Sequence, residues 1–147
     1  MSLNAAYDDD NILAKILRGE IPNTTIYEDD DVLAFMDIFP QSKGHCLVIP
    51  KNTKAVNLLD MPDEDLAVLI QRTKKIAAAV KQALQPDGIR IAQFNGSAAG
   101  QTIFHLHFHI IPSYEGSKEA AHGSAGRGQA DPGELAALAE KIKAALA

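Results

Sequence analysis

Three histidines stand at alternate positions in His105-Leu106-His107-Phe108-His109-Ile110-Ile111, with an apolar residue in every gap. Imidazole is the side chain that exchanges protons, attacks phosphorus or binds a transition metal near neutral pH. It has no special merit on a solvated strand face, where Thr, Lys or Glu would more readily stand. The chain holds five histidines in all, so three in one row read as chemistry. Alternation with period two predicts a β-strand over this stretch. Leu106, Phe108 and Ile110 then point into a core, and His105, His107 and His109 line the opposite face, neighbours about 7 Å apart.

Two chemistries fit such a row. A metal could be held by two histidines at i and i+2, but the outer pair lies about 13 Å apart and a tetrahedral ion would collect only adjacent rings. Further ligands would have to come from His45 or a carboxylate, and no C-x-x-C pair is present. The second chemistry is nucleophilic. The loop Gly96-Ser97-Ala98-Ala99-Gly100-Gln101-Thr102 leads directly into the row, and its backbone N–H groups, open at Gly96 and Gly100, could cradle a phosphate without lysine. Asn95 and Thr102 add neutral donors at the two ends of the loop. His107, central and flanked, would attack phosphorus, while His105, His109 and His45 orient it and manage protons.

The elements that position these groups follow from periodicity and breakers. Residues 1–10 read as a loose acidic tail, and Asn11 caps a short amphipathic helix through Leu17 that Gly19 and Pro22 end. Thr24 to Glu28 and Val32 to Met36 form a hairpin around an acidic turn. Lys43-Gly44 turns the chain into a strand from His45 to Ile49. A long helix runs from about Pro62 to Gln85, with Leu66, Leu69, Ile70, Thr73, Ile76, Ala77, Val80 and Leu84 as its packing stripe. Pro62 and the acids Asp63, Glu64 and Asp65 suit its first turn. Ile89 to Asn95 is the next strand, carrying Asn95 at its carboxyl end. After Pro112 the chain is rich in Gly, Ser and Ala, so 115–133 reads as a flexible loop before a helix from Glu134 to Ala147. The fold class is α+β: an antiparallel sheet of about five strands with one long helix across a face and short terminal helices.

These blocks, in this order, resemble the histidine-triad (HIT) family of nucleotide hydrolases and transferases. "QTIFHLHFHII" resembles the H-φ-H-φ-H-φ-φ signature, "NGSAAGQT" the loop before it, and "ILAKILRGEIP" and "YEDDDVLAFMDIFPQSKGHCLVIPK" the first helix, hairpin and following strand. The resemblance runs from about Ile12 to Ile111, so 11–114 is expected as the HIT domain. It implies that His107 forms a nucleotidyl-histidine intermediate, supported by His105, His109 and His45. It implies α-phosphate or leaving-group contacts from Asn95, Gly100, Gln101 and Thr102, a ribose contact at Asp37, and a purine slot of Leu13, Ile16, Phe35 and Ile38. It also implies a purine nucleotide substrate and a homodimer. Zinc-carrying members have a cysteine pair where this chain has Asn11 and Ala14, and many relatives have histidine at Thr53, so no metal or other cofactor is expected. The segment from Ile111 to Gly116 lacks the tryptophan- and proline-rich ending of the Hint-type phosphoramidases, and Ser113 stands where polyphosphate-cleaving relatives often have arginine. The activities implied are therefore nucleoside phosphoramidase, dinucleoside polyphosphate hydrolase, or a non-catalytic nucleotide-binding or scaffold role.

Composition narrows the rest. A chain of 147 residues with 46% hydrophobic residues can bury one ordinary core. Its net charge of −5 argues against bulk binding to a nucleic-acid backbone. No apolar run approaches the ~20 residues that cross a bilayer, and no signal-peptide pattern opens the chain, so no membrane partner and a cytoplasmic location are expected. The single cysteine, Cys46, sits in the apolar run Cys46-Leu47-Val48-Ile49 and reads as a core residue.

Overall fold

The computed structural model describes residues 2–116 and 128–147. Five strands form one antiparallel sheet in the order β1-β2-β3-β5-β4, an α+β arrangement. They are β1 (Thr25–Glu28), β2 (Val32–Met36), β3 (Cys46–Pro50), β4 (Gly88–Ala92) and β5 (Phe108–Ser113), with helices α1 (Ile12–Leu17), α2 (Asp63–Leu84) and α3 (Pro132–Leu146). The starts of α1 and α3 follow elementary capping chemistry. The Asn11 side chain accepts from the Ala14 N–H, and Asp131 accepts from the Glu134 N–H ahead of a proline in the first turn of α3. The β1–β2 turn is held by Asp29, whose carboxylate accepts from the Asp31 and Val32 amides, from the Tyr27 hydroxyl and from Arg72 of α2.

Side chains alternate across the strands and sort into two buried clusters. On one face Ala34, Met36, Cys46, Val48, Phe108 and Ile110 pack under α2 and α3. On the other, Leu33, Phe35, Leu47 and Ile49 pack with Leu13 of α1. The histidines belong to this second face.

The structure differs from the sequence reading in several places. The strand expected over His105–Ile111 begins only at Phe108 and continues through Pro112 to Ser113. Its β3 partners end opposite Ile110, so the proline, which has no N–H to donate, meets only β4. Before the strand, the Leu106 N–H bonds to the Ala55 carbonyl, drawing His105 and Leu106 off the sheet. Strand β4 stops at Ala92, three residues short of Asn95. Ile70, assigned to the packing stripe of α2, is 44% exposed beside Ile91 of β4, which is 46% exposed. Residues 2–10 make specific contacts where a loose tail was expected: the Asn57 side chain donates to the Leu3 carbonyl, Arg18 to the Asp9 carbonyl, and Lys54 pairs with the Asp9 carboxylate. Most of the flexible loop expected over 115–133 lies outside the described residues.

Candidate active site

Parity along three strands assembles the site. Phe35 of β2 pairs with Leu47 of β3, and Leu47 pairs with His109 of β5, so these three stand in one row on the face covered by α1. Asp37 follows Phe35 by two residues and His45 precedes Leu47 by two, which puts both at the end of that row. His107 precedes His109 in the same way. All of these except His45 line a cleft of about 250 Å³, far more than the ~10–15 Å³ that one water needs. Its walls include Leu13, Ile16, Phe35 and Ile38, the four positions read as an apolar slot, together with Asp37, Thr102, His107 and His109.

Four histidines are buried here, His45, His105, His107 and His109, none more than 7% exposed. Rings removed from water need hydrogen-bond partners, and those partners fix where each proton resides. The Pro50 carbonyl, which can only accept, lies 3.1 Å from His105 Nε2, so that nitrogen carries the proton. The His107 Nδ1–H donates to the His105 carbonyl at 2.7 Å, which leaves the His107 lone pair on Nε2. The Gln41 N–H donates to His45 Nδ1 at 3.0 Å, so the His45 proton sits on Nε2 and is directed at His109 Nδ1, also 3.0 Å away. His109 in turn carries its proton on Nε2. The His107 and His109 rings meet edge to face with centroids 4.9 Å apart. Backbone geometry thus distinguishes the central histidine, which offers a lone pair at Nε2, from its neighbour, which offers an N–H there. Burial pushes the His105 pKa down, against the opposing effect of the Pro50 hydrogen bond, and keeps the ring neutral. Burial, aided by the Asp37 charge, pushes the Cys46 thiol up to about 12, which suits a core residue and not a nucleophile.

The loop before the triad is organised differently from the open anion cradle read in the sequence. Gly96 and Gly100 adopt positive φ, as such a loop requires. Yet the Gly96 N–H donates to the Gln101 side chain and the Gly100 N–H to the Ser97 carbonyl. Gln101 is buried, and its amide group donates to the Val56 and Ile103 carbonyls, so this residue braces the loop. The Asn95 side-chain oxygen accepts from the Leu58 N–H and from Gln93. Thr102, exposed, is the loop member with a hydroxyl in the cleft wall. Sequence reasoning passed over Ile12, Phe39, Leu47 and Ile103, which also line the cleft. Leu47 was recoverable, because it shares parity with His45.

Asp37, His45 and His109 bring three ligand atoms within 4.8 Å of one another, the metal-capable group among the described residues. An ion there would replace the His45–His109 hydrogen bond. The positions that hold zinc in cysteine-bearing relatives do not fit that role: Asn11 caps α1, Ala14 has no ligand atom, and the Thr53 hydroxyl accepts from the Ala55 N–H.

Comparison with known proteins agrees with this geometry. The HIT domain family matches residues 18–116. An uncharacterized HIT-like protein of Methanocaldococcus jannaschii is 50% identical over 109 residues, covering 74% of this chain and 82% of the relative. A Hit-like protein from Bartonella henselae, described as involved in cell-cycle regulation and solved with an unknown ligand, superposes with a TM-score of 0.86 at 51% identity over 96% of this chain and all of that one. A hypothetical histidine triad nucleotide-binding protein from Sulfolobus tokodaii gives 0.80 at 34% identity, covering 90% of this chain and 89% of the other. With His107 and His109 of its triad lining a cleft on one sheet face and its matched residues spanning all five strands, the chain belongs to the HIT family.

Proposed function

We propose that the protein is a nucleoside phosphoramidase, cleaving purine nucleotides at the α-phosphate through a nucleotidyl-histidine intermediate on His107. The observation that supports this most is the proton arrangement: among the four buried histidines, His107 holds its lone pair on Nε2 because its own Nδ1–H is bound by the chain two residues back. In the first step His107 Nε2 forms a bond to the α-phosphorus and the bond to the leaving amine breaks. The departing nitrogen takes a proton from one of two donors, His109 Nε2–H or the Thr102 hydroxyl, and the other donor meets the charge on the transferring group. In the second step water attacks phosphorus and returns a proton to the group that gave one up, the P–N bond to His107 breaks, and the nucleoside monophosphate leaves with the enzyme restored. The purine lies in the apolar slot of Leu13, Ile16, Phe35 and Ile38, with the ribose hydroxyls donating to Asp37 at its edge.

The working unit is a homodimer. Among the described residues strand β4 is an edge of the sheet, and the apolar side chains of Ile70 and Ile91 lie exposed next to it. A second copy would satisfy both the edge and the patch.

The test is release of nucleoside monophosphate from adenosine 5′-phosphoramidate by wild type and His107→Ala in excess EDTA. Light scattering on the same preparations gives the mass. Turnover by a wild-type dimer, lost by at least a thousandfold in the variant, is expected. Absence of turnover by wild type, alongside cleavage of diadenosine tetraphosphate, would transfer the assignment to dinucleoside polyphosphates. Binding without any turnover would leave a nucleotide-binding role, and a monomeric mass would remove the dimer.

A further inference from the structure

Tyr7 lies outside the residues that match the family, in a segment where the sequence held no catalytic signal. Its hydroxyl is 2.6 Å from His105 Nδ1, and the two rings sit 5.6 Å apart, tilted by 58°. The direction of this bond follows from the other side of the ring. His105 Nε2 carries its proton because its partner, the Pro50 carbonyl, can only accept. Nδ1 of the neutral ring is therefore an acceptor, and the Tyr7 hydroxyl donates. His105 is gripped at both nitrogens, and its own carbonyl receives the His107 Nδ1–H at 2.7 Å.

We infer that Tyr7 is a positioning residue for the triad: by clamping His105 it holds the carbonyl that fixes the tautomer and orientation of His107. This inference rests on the reading of His107 as the nucleophile. The segment carrying Tyr7 is itself anchored at several points. Lys54 pairs with Asp9 at 2.8 Å and lies 5.9 Å above the Tyr7 ring, and the Asp9 carbonyl accepts from Arg18 of the α1 terminus. Such a strap gives the hydroxyl a defined location, and Tyr7 is not among the residues that line the cleft. Its contribution is geometric, since a small displacement of a reacting atom lowers rate steeply while leaving binding unchanged.

The test uses Tyr7→Phe, which keeps the ring and its packing and removes the hydroxyl. Side-chain 15N spectra of the full-length protein should show the His105 Nδ1 resonance moving toward that of a nitrogen without a donor. kcat on adenosine 5′-phosphoramidate should fall roughly tenfold, the scale of one lost buried hydrogen bond, with KM unchanged. In a His105→Gln background the same change should have no further effect, because Tyr7 acts through His105. An unaltered His105 spectrum would refute the bond, and an altered spectrum with wild-type kcat would refute the positioning role. A tenfold loss that persists in the His105→Gln background would show that Tyr7 acts by another route. If wild type turns over no nucleotide, the proposed function fails while the spectrum still decides the Tyr7–His105 bond.

Discussion

The two faces of the sheet are built from the same strands and are buried to nearly the same degree, yet they do different work. Ile110 is 0% exposed and its neighbour His109 is 3% exposed. Ile110 faces α2 and α3 among apolar residues that ask only for volume. His109 faces the cleft, where each buried ring must find a donor or acceptor and thereby acquires a fixed proton. Burial on the first face stabilises the fold through excluded water; burial on the second makes four identical side chains chemically distinct. A one-residue step along β5 separates the two.

That contrast can be broken most forcefully at the step itself. His109→Gln, close in size and still able to hydrogen-bond, should lower turnover by about 10²–10⁴-fold while shifting the denaturant midpoint little. Ile110→Ala should do the reverse, destabilising by about 2–5 kcal/mol with turnover per folded molecule retained. Urea titration and steady-state kinetics on both variants separate the outcomes. Two variants with the same mixed phenotype would end the division of labour between faces.

A smaller effect sharpens the comparison by pH. Asp29 ties the β1–β2 turn to α2, one of the helices that cover the first face. Burial alone would raise its carboxyl, but hydrogen bonds from Arg72, Tyr27 and the Asp31 and Val32 amides outweigh this and hold it below the ordinary carboxylate range. A folded-state pKa below the unfolded one gives stability that is present above about pH 4 and lost as pH falls through the folded value. Asp29→Asn should therefore destabilise by about 1 kcal/mol at pH 7, a modest figure because both partners are partly exposed. The gap to wild type should narrow below about pH 4, as thermal melts across pH 2–7 would show. A gap independent of pH would mean that Asp29 acts by turn geometry and not by charge.

Much of this was legible in the sequence, for physical reasons that differ by residue. Helix α2 announces itself by its period and strands β1 to β3 by short runs of strand-forming residues between breakers, with β2 an unbroken apolar run that starts where the acids Asp29 to Asp31 end. The partnership of His45 with the triad follows from β3 neighbouring β5. Other features depend on groups far apart in the chain. The late start of β5 is set by the Leu106 N–H finding the Ala55 carbonyl, and the exposure of Ile70 follows from β4 being an edge. The loop glycines were read as opening their N–H groups to a phosphate, but the acceptors of those N–H groups, Gln101 and Ser97, appear only once the loop is folded. Tyr7 gave no signal at all, because a lone tyrosine 98 residues from its partner forms no motif.

The central claim is that the chain's own hydrogen bonds select His107 as the attacking ring. Rapid quench of wild type with labelled adenosine 5′-phosphoramidate, followed by peptide mapping at neutral to alkaline pH to preserve the P–N bond, tests it directly. The account predicts a transient adenylyl group on His107 Nε2 that forms and decays fast enough to carry turnover. The same label on His105 or His109, or turnover with no covalent species during a single cycle, would contradict it.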